Sequence, residues 1–190
     1  RRSGMAPAGD TAVTTGISGL SINGGKDSSG KSVVGRVDMQ LGEVTHHNVL
    51  QLKKLNQCVF PVSYNDKFYK EVTSAGELAR LAYFNDIVVG AVCCRHDMKD
   101  GKKALYMMTL GTLAPYRRLG IGRLLLQHIF SVVEKDKSIE MIYLHVQVSN
   151  ETAVSFYERH GFQKEGVAEH YYKRIEPDDA FILVKKVDRQ

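Results

Sequence analysis

Two arginines and two glycines, within Arg117–Gly122, stand between an apolar run and a helical pattern. The run Leu105–Leu113 is apolar enough for a central strand, and apolar residues recur at helical spacing from Ile121 to Val133. A strand that leads into a helix through a short junction is typical of α/β folds. Glycine lets backbone N–H groups approach an anion, and a helix N-terminus adds partial positive charge. The junction is therefore a predicted binding site for a phosphate-bearing cofactor.

Composition limits the class of protein. The chain has 190 residues, of which 43% are hydrophobic, and this suits one folded domain with a core. A formal net charge of +5 is too small to indicate nucleic-acid binding by itself. No apolar run reaches the roughly 18 residues of a membrane span, and no secretory signal is recognisable. Cys58, Cys93 and Cys94 form no CxxC pair, which supports neither a disulfide framework nor a zinc site and favours a reducing, intracellular location.

Residues 1–35 differ from the rest of the chain. They are rich in glycine, serine and threonine and contain no aromatic residue. Such a segment buries too little apolar surface to offset its ordering entropy, so we expect a flexible tail. The alternative is an arm that folds on a partner. The folded domain is expected to cover residues 36–190.

Hydrophobic periodicity predicts a mixed α/β domain, α+β in some classifications, in which strands and helices share one core. Predicted strands cover residues 37–41, 78–84, 87–95, 104–113, 141–148, 162–166, 169–173 and 180–186. Predicted helices cover residues 45–58 (with Thr45 as the cap), 67–73, the segment from 121 onwards, and 150–160.

Two common phosphate-binding motifs do not fit the glycine junction. A P-loop requires Gly-x4-Gly-Lys-Ser/Thr, a pattern that the residues of this junction do not form. The dinucleotide fingerprint requires a third glycine where Leu125 stands, and it follows a first strand, whereas several elements precede Arg117. A glycine turn that carries two solvated arginines stays open as the interpretation without a ligand.

A second segment accompanies the junction. Asn150, Ala153, Phe156-Tyr157 and Gly161-Phe162 lie on the last predicted helix and just beyond it. Together with Arg-Arg-x-Gly-x-Gly, in this order, they resemble the GNAT superfamily of N-acetyltransferases. The resemblance implies the GNAT fold, with a mixed, mostly antiparallel central sheet flanked by helices, and acetyl-CoA as cosubstrate. The implied acetyl-CoA contacts are Leu110, Thr112, Leu113, Arg117, Arg118, Leu119, Gly120, Ile121, Gly122, Arg123, Asn150, Ala153 and Tyr157.

Four further segments narrow the resemblance. Phe60–Tyr69, Tyr106–Gly111, Tyr143–Gln147 and Tyr171–Pro177 resemble N-alpha-acetyltransferases of the NatE type. That family implies acetyl transfer to the α-amino group of protein N-termini, often Met followed by an apolar residue. It also implies association with the NatA complex through its large scaffold subunit, and a location in the cytoplasm and the nucleus. Two alternatives remain, a protein lysine acetyltransferase and a non-catalytic acetyl-CoA-fold subunit. Neither nucleic acid nor membrane is expected as a partner.

Acetyl transfer requires a neutral amine. At pH 7 on the order of 10% of an α-amine is neutral, against about 0.04% of a lysine amine, so one histidine can supply the base. His145 is the candidate, because strand alternation places it with Tyr143 and Gln147 on the more polar face of residues 141–148.

The resemblance implies that Tyr106 and His145 hold an ordered water as the catalytic pair. It also implies that Tyr157 donates a proton to the departing thiolate. We expect Tyr106 to share a strand face with Met108 and Leu110, and backbone N–H groups near Leu110 to stabilise the thioester oxygen. The alternative that stays open is a satisfied sheet histidine at position 145, with Tyr106 and Tyr157 as packing residues.

The peptide site is also implied by the resemblance. One wall comprises Phe60, Pro61, Val62 and Tyr64, the floor includes Met108, and the other wall comprises Tyr171, Tyr172, Lys173 and Arg174. Apolar walls suit a methionine side chain. The alternative for Phe60–Val62 is an anchor that fixes the end of the first helix to the core.

Overall fold

A seven-stranded sheet with four helices forms the part of the chain that the computed structural model describes, residues 38–188. The predicted tail, residues 1–35, lies outside the described residues. The strands are β1 (Met39–Glu43), β2 (Ala79–Phe84), β3 (Ile87–Lys99), β4 (Lys102–Thr112), β5 (Met141–Gln147), β6 (Gln163–Ala168) and β7 (Ala180–Lys186). The helices are α1 (Val49–Val59), α2 (Asp66–Val72), α3 (Ile121–Lys135) and α4 (Glu151–Arg159). No helix within residues 38–188 is long and apolar enough to cross a membrane.

The sheet has the order β1-β2-β3-β4-β5-β7-β6, and every neighbouring pair is antiparallel except β4 and β5. This confirms the mixed, mostly antiparallel sheet. The parallel pair is short, since only Ala104–Tyr106 lie opposite Met141–Tyr143. Both strands then continue, β4 to Thr112 and β5 to Gln147, with no further pairing between them. The sheet therefore has an open gap between the ends of its two central strands.

The two faces of the sheet bury different helices. On one face, α3 and α4 pack through Leu125, Ile129 and Phe156 against residues of β3, β4 and β5. On the other, α1 and α2 pack through Leu52 and Phe68 against β2, β3 and β4. Alternation in β5 is as predicted, because its even-numbered residues are buried and its odd-numbered residues after Met141 are half-buried. The half-buried set belongs to the α1–α2 face.

One predicted helix boundary and one predicted strand are wrong for local reasons. The first helix begins at Val49 with Asn48 in the cap position, because Thr45 opens a turn in which its carbonyl accepts from Asn48 and Val49. The strand predicted for 169–173 is absent: His170 has a φ of +51°, a conformation outside the extended region. This segment instead belongs to the loop between β6 and β7.

A β-bulge in β4 corrects the predicted face of Leu110. Cys93 lies opposite Thr109 whereas Cys94 lies opposite Met107, so Met108 is an extra residue on β4. An extra residue interrupts the alternation of side chains. Tyr106 and Met108 belong to the α1–α2 face, but Leu110 belongs to the core under α3 and α4. The expectation that all three share a face is therefore wrong for Leu110.

Gly111 allows the end of α1 to approach β4. A methyl group at this position would lie 2.6 Å from Val59 Cγ1 and 2.8 Å from Phe60 Cζ. We expect Gly111→Ala to lower the free energy of unfolding by about 1–3 kcal/mol, because the core must shift to admit it. Urea denaturation measures this change.

Gly166→Ala is the matched control. Its added methyl group would meet nothing within 4 Å in the described chain, so its stability should stay close to that of the original protein. Equal unfolding midpoints for both variants would contradict the close contact at Gly111.

Candidate active site

Backbone amides of β4 point into the gap beside β5. Leu113 N donates to Val89 O at 2.8 Å, and hydrogen-bonded pairs alternate with non-bonded pairs along an antiparallel ladder. Leu110 lies opposite Val92, an odd number of positions from that bonded pair, so its N–H and C=O point away from β3. The Leu110 amide therefore faces the gap, where it is available to a carbonyl oxygen of a ligand.

The glycine junction forms an anion cradle at the end of β4. Gly120 caps α3 with a φ of +88°, and no side chain caps the first turn of this helix within the described residues. Its first N–H groups are therefore available to a ligand. Arg117 and Arg118 are exposed, and Arg117 Nε donates to Thr112 O at 3.4 Å. This contact ties the cradle to the strand that borders the gap.

Close packing brings the N-terminus of α3 to the sheet. Gly90 of β3 lies opposite Thr112, and a methyl group on Gly90 would be 3.0 Å from Ile121 Cγ2. The helix start thus lies against the strands that end at the gap. A ligand with phosphate groups at the cradle could extend a neutral arm along Leu110.

Three aromatic side chains meet on the α1–α2 face of the sheet. The Tyr106 hydroxyl lies 3.2 Å from His145 Nδ1 and 2.9 Å from the Tyr171 hydroxyl. The His145 ring is stacked on Tyr171, with centroids 4.2 Å apart and an interplanar angle of 10°. The structure therefore brings together the predicted base, its predicted partner and one predicted wall residue.

Burial fixes the protonation states of this cluster. It is the main cause that lowers the pKa of His145 to about 4, and the positive charge of Lys99 lowers it further. Burial, followed by the neighbouring Tyr171, raises the pKa of Tyr106 well above its ordinary value. At neutral pH His145 is a neutral acceptor and Tyr106 a neutral hydroxyl, a combination suited to proton transfer.

The loop between β6 and β7 holds Tyr171 over His145. His170 Nδ1 lies 2.6 Å from Asp178 Oδ2, and Tyr172 N donates to Asp178 O at 2.8 Å. Gln147 Nε2 donates to Pro177 O at 2.7 Å, which ties the loop to the end of β5. Tyr172 is buried, whereas Lys173 and Arg174 are exposed. These contacts give the loop a defined path although it is not a strand.

The other predicted wall is partly core. Phe60 is buried, while Tyr64 is half-buried with its ring centroid 5.9 Å from that of Phe60. Pro61 is exposed and Val62 is half-buried. The contact of Phe60 with Gly111 favours the anchor interpretation for that residue, and Met108 is buried in the same cluster as Tyr106. Pro61, Val62 and Tyr64 are the members of this wall with surface to offer a ligand.

Tyr157 belongs to α4 and points into the core on the opposite face of the sheet. It is fully buried, its hydroxyl donates to Met107 Sδ at 3.4 Å, and burial raises its pKa well above the ordinary value. Asn150 caps α4 by accepting from Ala153 N at 3.1 Å. These bonds explain both residues as structural elements, and their contacts with acetyl-CoA stay predictions.

Sequence reasoning missed a layer of residues next to Tyr106. Arg95 of β3 and Tyr143 of β5 contact its ring, and Asp97 of β3 is bonded to both of them. Alternation along β3 could have placed Arg95 and Asp97 on one face, but nothing in the sequence indicates that Asp97 bonds Tyr143 two strands away.

The chain is similar to known acetyltransferases in sequence and in structure. Residues 49–162 match the acetyltransferase (GNAT) family. N-alpha-acetyltransferase 50 of Danio rerio is 60% identical over 149 residues, which cover 78% of this chain and 89% of that protein. The probable N-acetyltransferase san of Drosophila melanogaster is 58% identical over 154 residues, covering 81% and 84% of the two chains. Arabidopsis thaliana Naa50, solved in complex with the bisubstrate analogue CoA-Ac-MVNAL, is 47% identical with a TM-score of 0.73, over 77% of this chain and 97% of that chain.

The low pKa of His145 can be tested directly by NMR titration of the histidine rings. We expect His145 to take up its proton at about pH 4. Lys99→Met should raise this pKa, because a positive charge is lost, yet leave it below the ordinary 6.5, because burial remains. Lys102→Met, in the same hairpin but exposed, is the control that should change nothing. A midpoint near 6.5 in the unmodified protein would contradict the buried, neutral base.

Proposed function

The chain belongs to the GNAT family of acetyltransferases, and we propose that it transfers the acetyl group of acetyl-CoA to the α-amino group of protein N-termini. The observation that carries this proposal is the Tyr106–His145 pair at the edge of the gap between β4 and β5. A proton acceptor thus lies on the strand opposite the backbone amides that can hold a thioester. The plant relative supports it, since its bisubstrate analogue joins CoA to a peptide that starts with Met.

We propose a preference for Met followed by an apolar residue. Half-buried Tyr64 packs against the cluster that contains Tyr106 and Met108, and Val62, two residues before it, is also half-buried. From the β6–β7 loop, Tyr171 contacts Tyr106 and is backed by the buried Tyr172. A methionine side chain is flexible and apolar, so it suits a site lined in this way. A second apolar residue would extend the same contact.

Residues at the gap bind and orient the cosubstrate. Acetyl-CoA, when bound, supplies an acetyl group activated as a thioester. The N-terminus of α3 and the side chains of Arg117 and Arg118 offer donors and positive charge for its phosphates. The Leu110 N–H points into the gap and would stabilise negative charge on the thioester oxygen.

His145 and Tyr106 remove the proton that the amine loses during acetyl transfer. The amine attacks in its neutral form and becomes a strong acid as the new C–N bond forms. A neutral imidazole with a pKa of about 4 is then a sufficient acceptor. We infer that an ordered water joins the amine to the pair, with Tyr106 orienting it while remaining protonated. Tyr157, a buried neutral hydroxyl, is the proposed donor to the departing thiolate.

We further propose that the large scaffold subunit of the NatA complex is a partner, and that the protein works in the cytoplasm and also in the nucleus. Both proposals rest on the resemblance to NatE-type enzymes, which four segments carry: Phe60–Tyr69, Tyr106–Gly111, Tyr143–Gln147 and Tyr171–Pro177. Co-purification of the full chain with that subunit, and microscopy of the tagged chain, test them.

The acceptor can be tested with short peptides and acetyl-CoA. Peptides with free Met-Leu or Met-Ala N-termini should be acetylated much faster than peptides with a blocked N-terminus and an internal lysine. The reason is that an α-amine is neutral far more often than a lysine amine at pH 7. Mass spectrometry locates the acetyl group. A preference for the blocked lysine peptides would overturn the proposed acceptor.

Substitutions in the catalytic pair and in the anion cradle should change different steady-state constants. His145→Ala and Tyr106→Phe should each lower kcat by about a hundredfold, the usual worth of positioned proton transfer. Arg117→Ala should instead raise the KM for acetyl-CoA by roughly tenfold, the worth of one charge-assisted hydrogen bond, with kcat nearly kept. His47→Ala, on an exposed turn, is the control. An unchanged kcat in the first two variants would exclude the proposed pair.

A further inference from the structure

Two charged residues of β3 lie on the sheet face that carries Tyr106. Arg95 is opposite Tyr106 in the strand register, and its guanidinium carbon lies 5.1 Å from the centroid of the Tyr106 ring. Asp97 follows two residues later and is therefore on the same face. Arg95 Nη2 and Asp97 Oδ2 are 3.5 Å apart, so the carboxylate holds the guanidinium near the ring.

The same carboxylate reaches across the central strand. Tyr143 OH donates to Asp97 Oδ2 at 2.7 Å, and the two residues belong to β5 and β3, with β4 between them. Ala104 is the β4 residue opposite Asp97 in the register. Its small side chain leaves room for this hydrogen bond to pass over the strand. Burial first, and then this bond, raise the pKa of Tyr143 well above its ordinary value, so the hydroxyl remains a donor.

Tyr143 contacts both members of the catalytic pair. Its ring centroid is 4.8 Å from that of Tyr106 and 6.2 Å from that of His145. Tyr106 is thus bordered by Tyr143 of β5 and by Arg95 of β3, and both neighbours are bonded to Asp97. Among residues 38–188, the side-chain partners of Asp97 are Tyr143 and Arg95, not the Tyr106 hydroxyl or the His145 ring.

We propose that Asp97 is a positioning residue that holds Tyr143 and Arg95 against the Tyr106 ring and so keeps the Tyr106 hydroxyl beside His145. This inference rests on the proposed function, in which Tyr106 and His145 are the catalytic pair. A small displacement of a reacting group lowers the rate sharply, whereas substrate binding at other residues is unaffected. Substitution of Asp97 should therefore lower kcat and leave the KM values nearly unchanged.

The test uses Asp97→Ala, Tyr143→Phe and the double variant, all in the full chain. Tyr143→Phe removes only the hydroxyl that Asp97 binds and keeps the ring, so it serves where the alanine variant disturbs folding. We expect each single variant to lower kcat by about tenfold, while the KM values for acetyl-CoA and peptide stay within about twofold. The double variant should be no slower than Asp97→Ala, because both changes break the same bond.

Asp188→Ala, an exposed carboxylate away from this cluster, is the matched control and should keep full activity. The urea unfolding midpoints should be equal in all the variants, which separates positioning from loss of fold. Normal kcat in both single variants, or multiplied losses in the double variant, would overturn the assignment of Asp97. Lack of N-terminal acetylation by the unmodified chain would instead contradict the proposed function, so the two failures are distinguishable.

Discussion

Parallel pairing between β4 and β5 stops at Tyr106 and Tyr143, although both strands continue. Backbone N–H and C=O groups in the middle of a sheet normally find partners, because burying them without one is costly. Here they face a gap that a ligand with its own carbonyls and amides can fill. The N-terminus of α3 at Gly120, the two arginines and the Leu110 amide can contact the same ligand, because this gap lies between them and β5.

The two faces of the sheet differ in the side chains that they present beside the gap. On the side of α3 and α4, large apolar side chains pack with the buried Tyr157 of α4 in the main hydrophobic core. On the α1–α2 face, aromatic rings with polar tips surround His145. A ligand that crosses the sheet through the gap extends from the α3–α4 face to the α1–α2 face, which carries His145. The bulge at Met108 contributes to this arrangement, because it places Leu110 in the core under α3 and α4 while Tyr106 stays on the α1–α2 face.

The sequence predicts the parts of the molecule whose signal is local. The glycine junction has its own conformational signature, and the alternation within 141–148 places His145 correctly. Features that depend on contacts between distant parts of the chain were not predicted. The bulge depends on how β3 and β4 register, and the loop at 169–173 depends on contacts with Asp178 that alternating residues cannot reveal. The bond from Asp97 to Tyr143 joins residues separated by 46 positions and a strand, and only the assembled sheet brings them together.

The neutrality of His145 has a consequence for how the protein would rank its substrates. A base whose pKa is about 4 does not change state between pH 6 and 8, a span in which α-amines near pKa 7.7–8.0 change greatly. Variation of rate with pH then comes from the acceptor rather than from the catalyst. Two peptides whose terminal amines differ in basicity would therefore compete differently as the surrounding medium acidifies.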